Sequence, residues 1–127
     1  MYLCDMHSHS QISPDCDVPL ADMVQAAVDA GLQEFCVSDH HDLLDYGGIP
    51  AAPFDWPAAL EQYRAVKRSV GKKLTLRLGL ELGSAPYDPQ AAREALAQGG
   101  EELDFVLGSL HNWIGFHNND LLDMTSY

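Results

Sequence analysis

Alternation of polar and apolar positions predicts several short β-strands in this chain. It is clearest in KLTLRLGLELG, where the leucines at even positions from 74 to 82 share one face. The opening segment YLCDMHSHS alternates in the same way, which puts His7 and His9 on one face. Two further segments, QEFCVSDHHD and LDFVLGSLHNW, are apolar runs with polar ends and are typical of buried strands.

Apolar residues at helical spacing predict three helices between the four strands. They cover residues 20–30, 55–70 and 88–99. Asp55 and the Asp88-Pro89 pair are signals for helix starts, and Gly31 and Gly71 are placed to end helices. The order βαβαβαβ predicts an α/β fold with parallel strands, either as an open sheet or as part of a barrel.

Length and composition predict one folded domain covering residues 1–127. The chain has 127 residues, 46% of them hydrophobic and 20% charged, which is close to the globular average. No segment has the length of a membrane span or the pattern of a secretory signal, so we expect a cytoplasmic protein with no membrane partner. Three scattered cysteines fit reduced thiols better than disulfides.

The net charge narrows the choice of partners. Nineteen acidic and seven basic side chains give a formal charge of -12. This charge disfavours a nucleic-acid partner, because such binding depends on basic residues that neutralise phosphates. Carboxylates are also suited to divalent cations, although simple solubility would explain the same charge.

Histidines and carboxylates cluster at the carboxyl ends of the predicted strands, where parallel α/β folds build their sites. The residues at these ends are His7, His9, Asp39, His40, Glu81 and His111. Imidazole and carboxylate groups together are typical ligands of Zn, Mn and Fe. The sequence therefore predicts a metal site at this edge of the sheet.

Single positions are open to other interpretations. The His-x-His pair alone could be two polar residues at a strand end, and Glu81 could lie on a solvated strand face. Asp5 could orient one of the imidazoles from outside the ligand set. His41 faces away from His40 on an extended chain, and His117 lies in an irregular stretch, so neither is expected to be a ligand.

Five motifs in order, D-x-H-x-H, S-P-D, S-D-H-H, G-L-E and G-S-L-H, resemble the metal motifs of the PHP (polymerase and histidinol phosphatase) family. The spacing of G-L-E-L-G and L-D-F-V-L-G-S-L-H is most similar to the histidinol-phosphatase-like branch. The resemblance implies a distorted, TIM-like (βα)7 barrel with up to three metal ions at its carboxyl rim. About four of the seven βα units would be present, so we expect an N-terminal half of such a barrel.

The resemblance also implies roles for individual residues. His7, His9 and Glu81 would share one ion, Glu81 would bridge to a second ion held by His111, and Asp15 with His40 would hold a third. Glu81 and His9 are the candidate catalytic residues, and Asp5 and Asp39 are candidate supporting residues. The family's further ligands, a later histidine and a D-x-H motif near the end, have no counterpart here.

The resemblance implies a metal-dependent phosphatase that hydrolyses a small phosphorylated substrate such as L-histidinol phosphate, a step of histidine biosynthesis. The alternatives are a PHP phosphoesterase acting on nucleotides or DNA 3′ ends, and a non-catalytic metal-binding half-domain. We expect the 127-residue chain alone to be weakly active or inactive. The exposed edge of a half-barrel could be covered by a homo-oligomer.

Overall fold

The computed structural model describes residues 1–45, 48–114 and 121–123. Three helices alternate with the strands of a parallel sheet, which confirms the predicted α/β fold. The strands are β1 (Cys4–Ser8), β2 (Glu34–Val37), β3 (His40–Asp42), β4 (Thr75–Gly83), β5 (Leu103–Ser109), β6 (Asn112–Ile114) and β7 (Leu121–Asp123). The helices are α1 (Leu20–Asp29), α2 (Trp56–Val70) and α3 (Pro89–Gly99).

Strand β4 is the centre of the sheet. Its first half pairs with β2, its second half pairs with β3, and β5 lies along its other edge. Strand β1 pairs with β2, and all of these pairs are parallel. The carboxyl ends of β3, β4 and β5, with the residues that follow β1, therefore lie at one edge of the sheet, as the sequence predicts.

The second predicted strand is interrupted, which corrects the sequence interpretation of one continuous strand. Strands β2 and β3 keep the same register against β4, with Val37 opposite Leu78 and His40 opposite Glu81. Between them, the Ser38 hydroxyl accepts a hydrogen bond from the backbone N–H of Ser8 at 3.2 Å. At the interruption, a side-chain hydrogen bond thus joins the middle of the predicted second strand to the end of β1.

The hydrophobic core lies between the helices and one face of β4. The leucines at positions 74, 76, 78, 80 and 82 are all buried, and they form one cluster with buried residues of α1, α2 and α3. Tyr63 of α2 is fully buried in this cluster, and its hydroxyl donates a hydrogen bond to the carbonyl of Leu76 at 3.3 Å. The leucine face predicted from the alternation is therefore the core face.

The opposite face of β4 is open at Thr75 and partly open at Arg77 but closed from Gly79 onward, and this glycine makes the closure possible. A Cβ atom at Gly79 would lie 2.6 Å from the sulfur of Cys36 on the neighbouring strand. Glu81 follows on the same face and is 4% exposed. The alternative of a solvated face at Glu81 is therefore wrong for this end of the strand.

The helix signals of the sequence are confirmed. The side chain of Asp55 accepts a hydrogen bond from the N–H of Ala58, and Asp88 accepts one from Ala91, so both cap the helices that follow. Gly31 ends α1 with a φ of 78°, a left-handed conformation that glycine adopts without steric cost.

The fourth predicted strand is shorter than the sequence suggests. Strand β5 ends at Ser109, and Asn112–Ile114 pairs instead with Leu121–Asp123 as a separate antiparallel ribbon. Within the described residues, β1 and β5 each have one neighbour, so the prediction of a homo-oligomer at the sheet edge remains a prediction. The longest described helix has 15 residues, and none is long and apolar enough to cross a membrane.

Candidate metal centre

The carboxylate of Glu81 lies at the middle of a group of histidines at the carboxyl end of the sheet. Its Oε2 atom is 2.7 Å from Nε2 of His7, and its Oε1 atom is 2.9 Å from Nε2 of His111. The Ser109 hydroxyl donates a hydrogen bond to Oε1 at 2.5 Å. The two oxygens of one buried carboxylate thus face imidazoles from opposite ends of the described sequence.

A second set of contacts joins His9, Asp15 and His40. Nδ1 of His9 is 2.8 Å from Oδ2 of Asp15, and Nε2 of His40 is 3.5 Å from the same oxygen. His9 also reaches Glu81, with Nε2 lying 2.9 Å from Oε2. The loop that follows β1 therefore brings Asp15 back to the rim beside the histidines.

These side chains form three overlapping groups with ligand atoms within 4.8 Å of one another. They are His7 with His9 and Glu81, His9 with Asp15 and His40, and His40 with Glu81 and His111. The structure thus brings together all six residues that the sequence analysis proposed as ligands. Their assignment to particular ions remains a proposal.

Two ring nitrogens support metal binding at these positions. Among the described residues, Nε2 of His9 and Nδ1 of His40 are buried without a hydrogen-bond partner, although Oε2 of Glu81 lies 2.9 Å from the first and 3.6 Å from the second. Buried polar atoms are normally satisfied, so unpaired nitrogens at this spacing need an explanation. A divalent cation between nitrogen and oxygen would satisfy both, and the imidazole–carboxylate set fits Zn, Mn or Fe.

The carboxylates at the site are held in the ionised form. Burial raises the pKa of Glu81, but contacts with Ser109, His7, His40 and His111 outweigh burial and lower the pKa to about 2. Burial also raises the pKa of Asp15, and the contact with His9 outweighs it, so this pKa lies below its usual value. Ionised carboxylates are the form in which these groups bind metals.

The two predicted supporting residues contact backbone or hydroxyl groups rather than imidazole rings. The carboxylate of Asp39 accepts hydrogen bonds from both the N–H and the hydroxyl of Ser10, the residue after His9. Burial raises the pKa of Asp39. Asp5 accepts from the backbone N–H of His7 at 3.1 Å, whereas the sequence analysis expected it to orient a ring.

Asp42 and Ser109 contact the site, and the sequence analysis missed both. Oδ1 of Asp42 lies 2.7 Å from Nδ1 of His111. The alternation in S-D-H-H-D would have found Asp42, because residues 40 and 42 share a face of an extended strand. Ser109 carries no comparable signal in the sequence.

His41 is separate from the metal groups, in agreement with its predicted direction. Its ring stacks on Phe54 with the two centroids 5.6 Å apart and the planes 13° from parallel. Burial lowers the pKa of His41, which favours a neutral ring. His117 lies outside the described residues.

The chain is similar to proteins of known family and of known structure. The PHP domain family matches residues 5–126. A Deinococcus radiodurans protein named "Probable histidinol-phosphatase" is 31% identical over 94% of this chain. The match covers 47% of that protein, so the chain spans about half the length of this curated relative.

Two solved structures have a similar fold. A histidinol phosphate phosphatase from Lactococcus lactis, crystallised with zinc, L-histidinol and phosphate, superposes with a TM-score of 0.75 at 24% identity. The match covers 85% of this chain and 40% of that protein. A candidate histidinol phosphatase from Listeria monocytogenes gives a TM-score of 0.78 at 19% identity, over 95% of this chain and 48% of that one. Given the family match along almost its whole length, the chain belongs to the PHP domain family.

Proposed function

We propose that this chain carries metal-binding machinery of a phosphatase that hydrolyses a phosphomonoester, with L-histidinol phosphate as the first substrate to test. The observation that carries the proposal is the shared carboxylate of Glu81. One oxygen faces His7 and His9, and the other faces His111. A carboxylate placed in this way can serve two neighbouring ions and fix the distance between them.

Metal ions, when bound here, would lower the pKa of a coordinated water and neutralise charge on a phosphoryl group. The protein's own residues would hold the ligand side chains in position. His9 would contribute Nε2 to the ion shared with His7 and Glu81, while its Nδ1, 2.8 Å from Oδ2 of Asp15, would donate a hydrogen bond that orients the ring. The hydroxyl of Ser109 holds Oε1 of Glu81 and limits the rotation of the bridging carboxylate.

Supporting contacts fix the loops that carry the ligands. Asp39 holds the backbone N–H and hydroxyl of Ser10, directly after His9. The Ser13 hydroxyl accepts a hydrogen bond from the N–H of His40 at 2.7 Å. These contacts hold His9 and His40 at the rim before any ion binds, which is the preorganisation that catalysis by positioned metals requires.

Zinc is the first metal to test, because the Lactococcus lactis structure contains it. Manganese and iron are compatible with the same donor set. If L-histidinol phosphate is the substrate, the reaction belongs to histidine biosynthesis and the partner is a small phosphorylated molecule. A location in the cytoplasm remains a prediction from the sequence.

The first experiment is elemental analysis of the purified chain after reconstitution with zinc, manganese or iron(II). We expect at least one equivalent of bound metal, reduced in His7→Ala and in Glu81→Ala. His41→Ala is the matched control, because His41 adjoins His40 but belongs to none of the three groups. Equal metal content in all four proteins would contradict the proposed site.

The second experiment measures phosphate release from L-histidinol phosphate, with nucleoside monophosphates as competing substrates. Metal-dependent release from L-histidinol phosphate that is lost in Glu81→Ala would support the proposal. Preference for nucleotides would favour the alternative PHP phosphoesterase. Tight metal binding without hydrolysis of any phosphoester would favour a non-catalytic half-domain.

A further inference from the structure

Asp42 reaches across a neighbouring strand to touch His111. In the sheet register, Asp42 of β3 lies opposite Gly83 of β4, and Gly83 lies opposite Ser109 of β5. Neighbouring strands are about 4.8 Å apart, so β3 and β5 are separated by about 10 Å across Gly83. Oδ1 of Asp42 nevertheless lies 2.7 Å from Nδ1 of His111.

The absence of a side chain at Gly83 makes room for this contact. A Cβ atom at position 83 would lie 1.6 Å from Oδ1 and 2.7 Å from Cγ of Asp42. It would also lie 3.2 Å from Nδ1 of His111. Gly83 is not among the described glycines with positive φ, so space rather than backbone conformation requires glycine here.

The contact determines which nitrogen of His111 is available as a ligand. An ionised carboxylate only accepts hydrogen bonds, so Nδ1 must carry the hydrogen that points to Asp42. A metal ion bound beside Glu81 would then take the lone pair of Nε2, the ring atom that lies 2.9 Å from Oε1 of Glu81. A carboxylate on the far nitrogen fixes the orientation of such a ring and increases its basicity.

We infer that Asp42 is a positioning residue that orients His111 toward the metal site, and that Gly83 is the gap through which its carboxylate passes. This inference rests on the metal site proposed above. Asp42 acts through His111 and belongs to none of the three candidate ligand groups. Its other oxygen, Oδ2, lies 3.5 Å from Nδ1 of His40.

The test uses four variants of the full chain: Asp42→Ala, Asp42→Asn, Gly83→Ala, and the double variant with alanine at both positions. Zinc affinity is measured by competition with a chromogenic chelator. Asp42→Ala should weaken zinc binding about 10- to 100-fold, the usual effect of removing such a partner. Asp42→Asn should stay within a few-fold of the parent, because its carbonyl still accepts from Nδ1.

Gly83→Ala should weaken zinc binding as much as Asp42→Ala, although it removes no polar group. Adding it to Asp42→Ala should cause little further loss, because the carboxylate it would displace is already gone and the remaining 3.2 Å contact with Nδ1 of His111 needs only a small shift. Parent-like affinity in Asp42→Ala, or multiplied losses in the double variant, would overturn the inference. If Asp42→Asn weakened binding as much as Asp42→Ala, Asp42 would instead be a direct ligand.

A measurement without metal separates this inference from the proposed function. Long-range 1H–15N NMR of the histidine rings, in chelator at pH 8, reports which nitrogen of His111 carries hydrogen. We expect hydrogen on Nδ1 in the parent and in Asp42→Asn, and a ring dominated by the Nε2–H form, with no hydrogen on Nδ1, in Asp42→Ala. An unchanged tautomer in Asp42→Ala would overturn the role of Asp42, whereas a parent chain that binds no zinc would contradict the proposed function alone.

Discussion

Replacing Gly79 by alanine tests how tightly the site-bearing face of β4 is packed. The added Cβ would lie 2.6 Å from Sγ of Cys36 and 3.2 Å from both Cβ of Ser38 and the carbonyl oxygen of Val37. Comfortable contacts between such atoms are about 3.5–4.0 Å, so the sulfur would have to move by about 1 Å. Overpacking of this kind should lower the free energy of unfolding by about 1–3 kcal/mol.

A double-mutant cycle assigns this cost to one contact. Cys36→Ala removes a buried atom about the size of a methylene and should alone cost about 1 kcal/mol. In the double variant the new methyl group at position 79 fills the space left by the sulfur. We expect the double variant to be more stable than the sum of the single effects predicts, by about 1 kcal/mol or more.

Urea unfolding followed by circular dichroism, with chelator present, measures all four proteins of the cycle. Gly108→Ala is the matched control, because a Cβ at this β5 position meets no atom of the described residues within 4 Å. The control should be within about 0.5 kcal/mol of the parent. Additive effects in the cycle, or a neutral Gly79→Ala, would refute the close contact of β2 with β4 beneath Glu81.

Three further predictions concern the helices and the thiols. Asp55→Ala removes the cap that accepts from the N–H of Ala58 and should lower the free energy of unfolding by about 1 kcal/mol, measured by urea denaturation; an unchanged midpoint would contradict the capping role. Tyr63→Phe removes a buried hydroxyl that contacts Leu76 and should cost about 0.5–1.5 kcal/mol in the same assay, without a change in the slope of the transition. Burial raises the pKa of the Cys36 thiol to about 12, so a thiol reagent at pH 8 should modify this residue only after unfolding, whereas exposed Cys4 should react in the folded protein. Mass spectrometry locates the labelled residues, and rapid labelling of both cysteines in the folded protein would count against the burial of Cys36.

The helices and the core face could be predicted from the sequence because their signals are local. Asp55 and Asp88 lie within three residues of the backbone N–H groups that they cap. The even-numbered leucines of β4 share a face simply because side chains alternate on a strand. Each of these features depends on a few neighbouring residues, so a short window of sequence contains it.

The gathering of His7, His9, His40, Glu81 and His111 was also predictable, for a topological reason. Parallel strands place their carboxyl ends at one edge, so residues far apart in sequence share a rim once the strand order is known. Placing Asp15 at that rim required the family resemblance, because it lies in a loop after β1.

Features that depend on contacts between particular strands could not be predicted. The interruption between β2 and β3 follows from hydrogen bonds to Ser8 and Ser10, which only the folded sheet brings near. We expected β5 to continue through Trp113, but Asn112–Ile114 pairs with Leu121–Asp123 instead. Apolar alternation predicts a strand but does not identify its partner. The contact of Asp42 with His111 spans 69 residues of sequence and depends on the register against Gly83.

The central position of Glu81 determines when its contacts can form while the chain is being synthesised. Its contact with His7 joins residues 74 apart in sequence, and its contact with His111 joins residues 30 apart. A nascent chain that emerges from the ribosome with β1 to β4 complete still lacks Ser109 and His111. The buried carboxylate therefore gains the last of its described partners only when β5 docks, so its surroundings are completed after β4 has formed rather than built up one strand at a time.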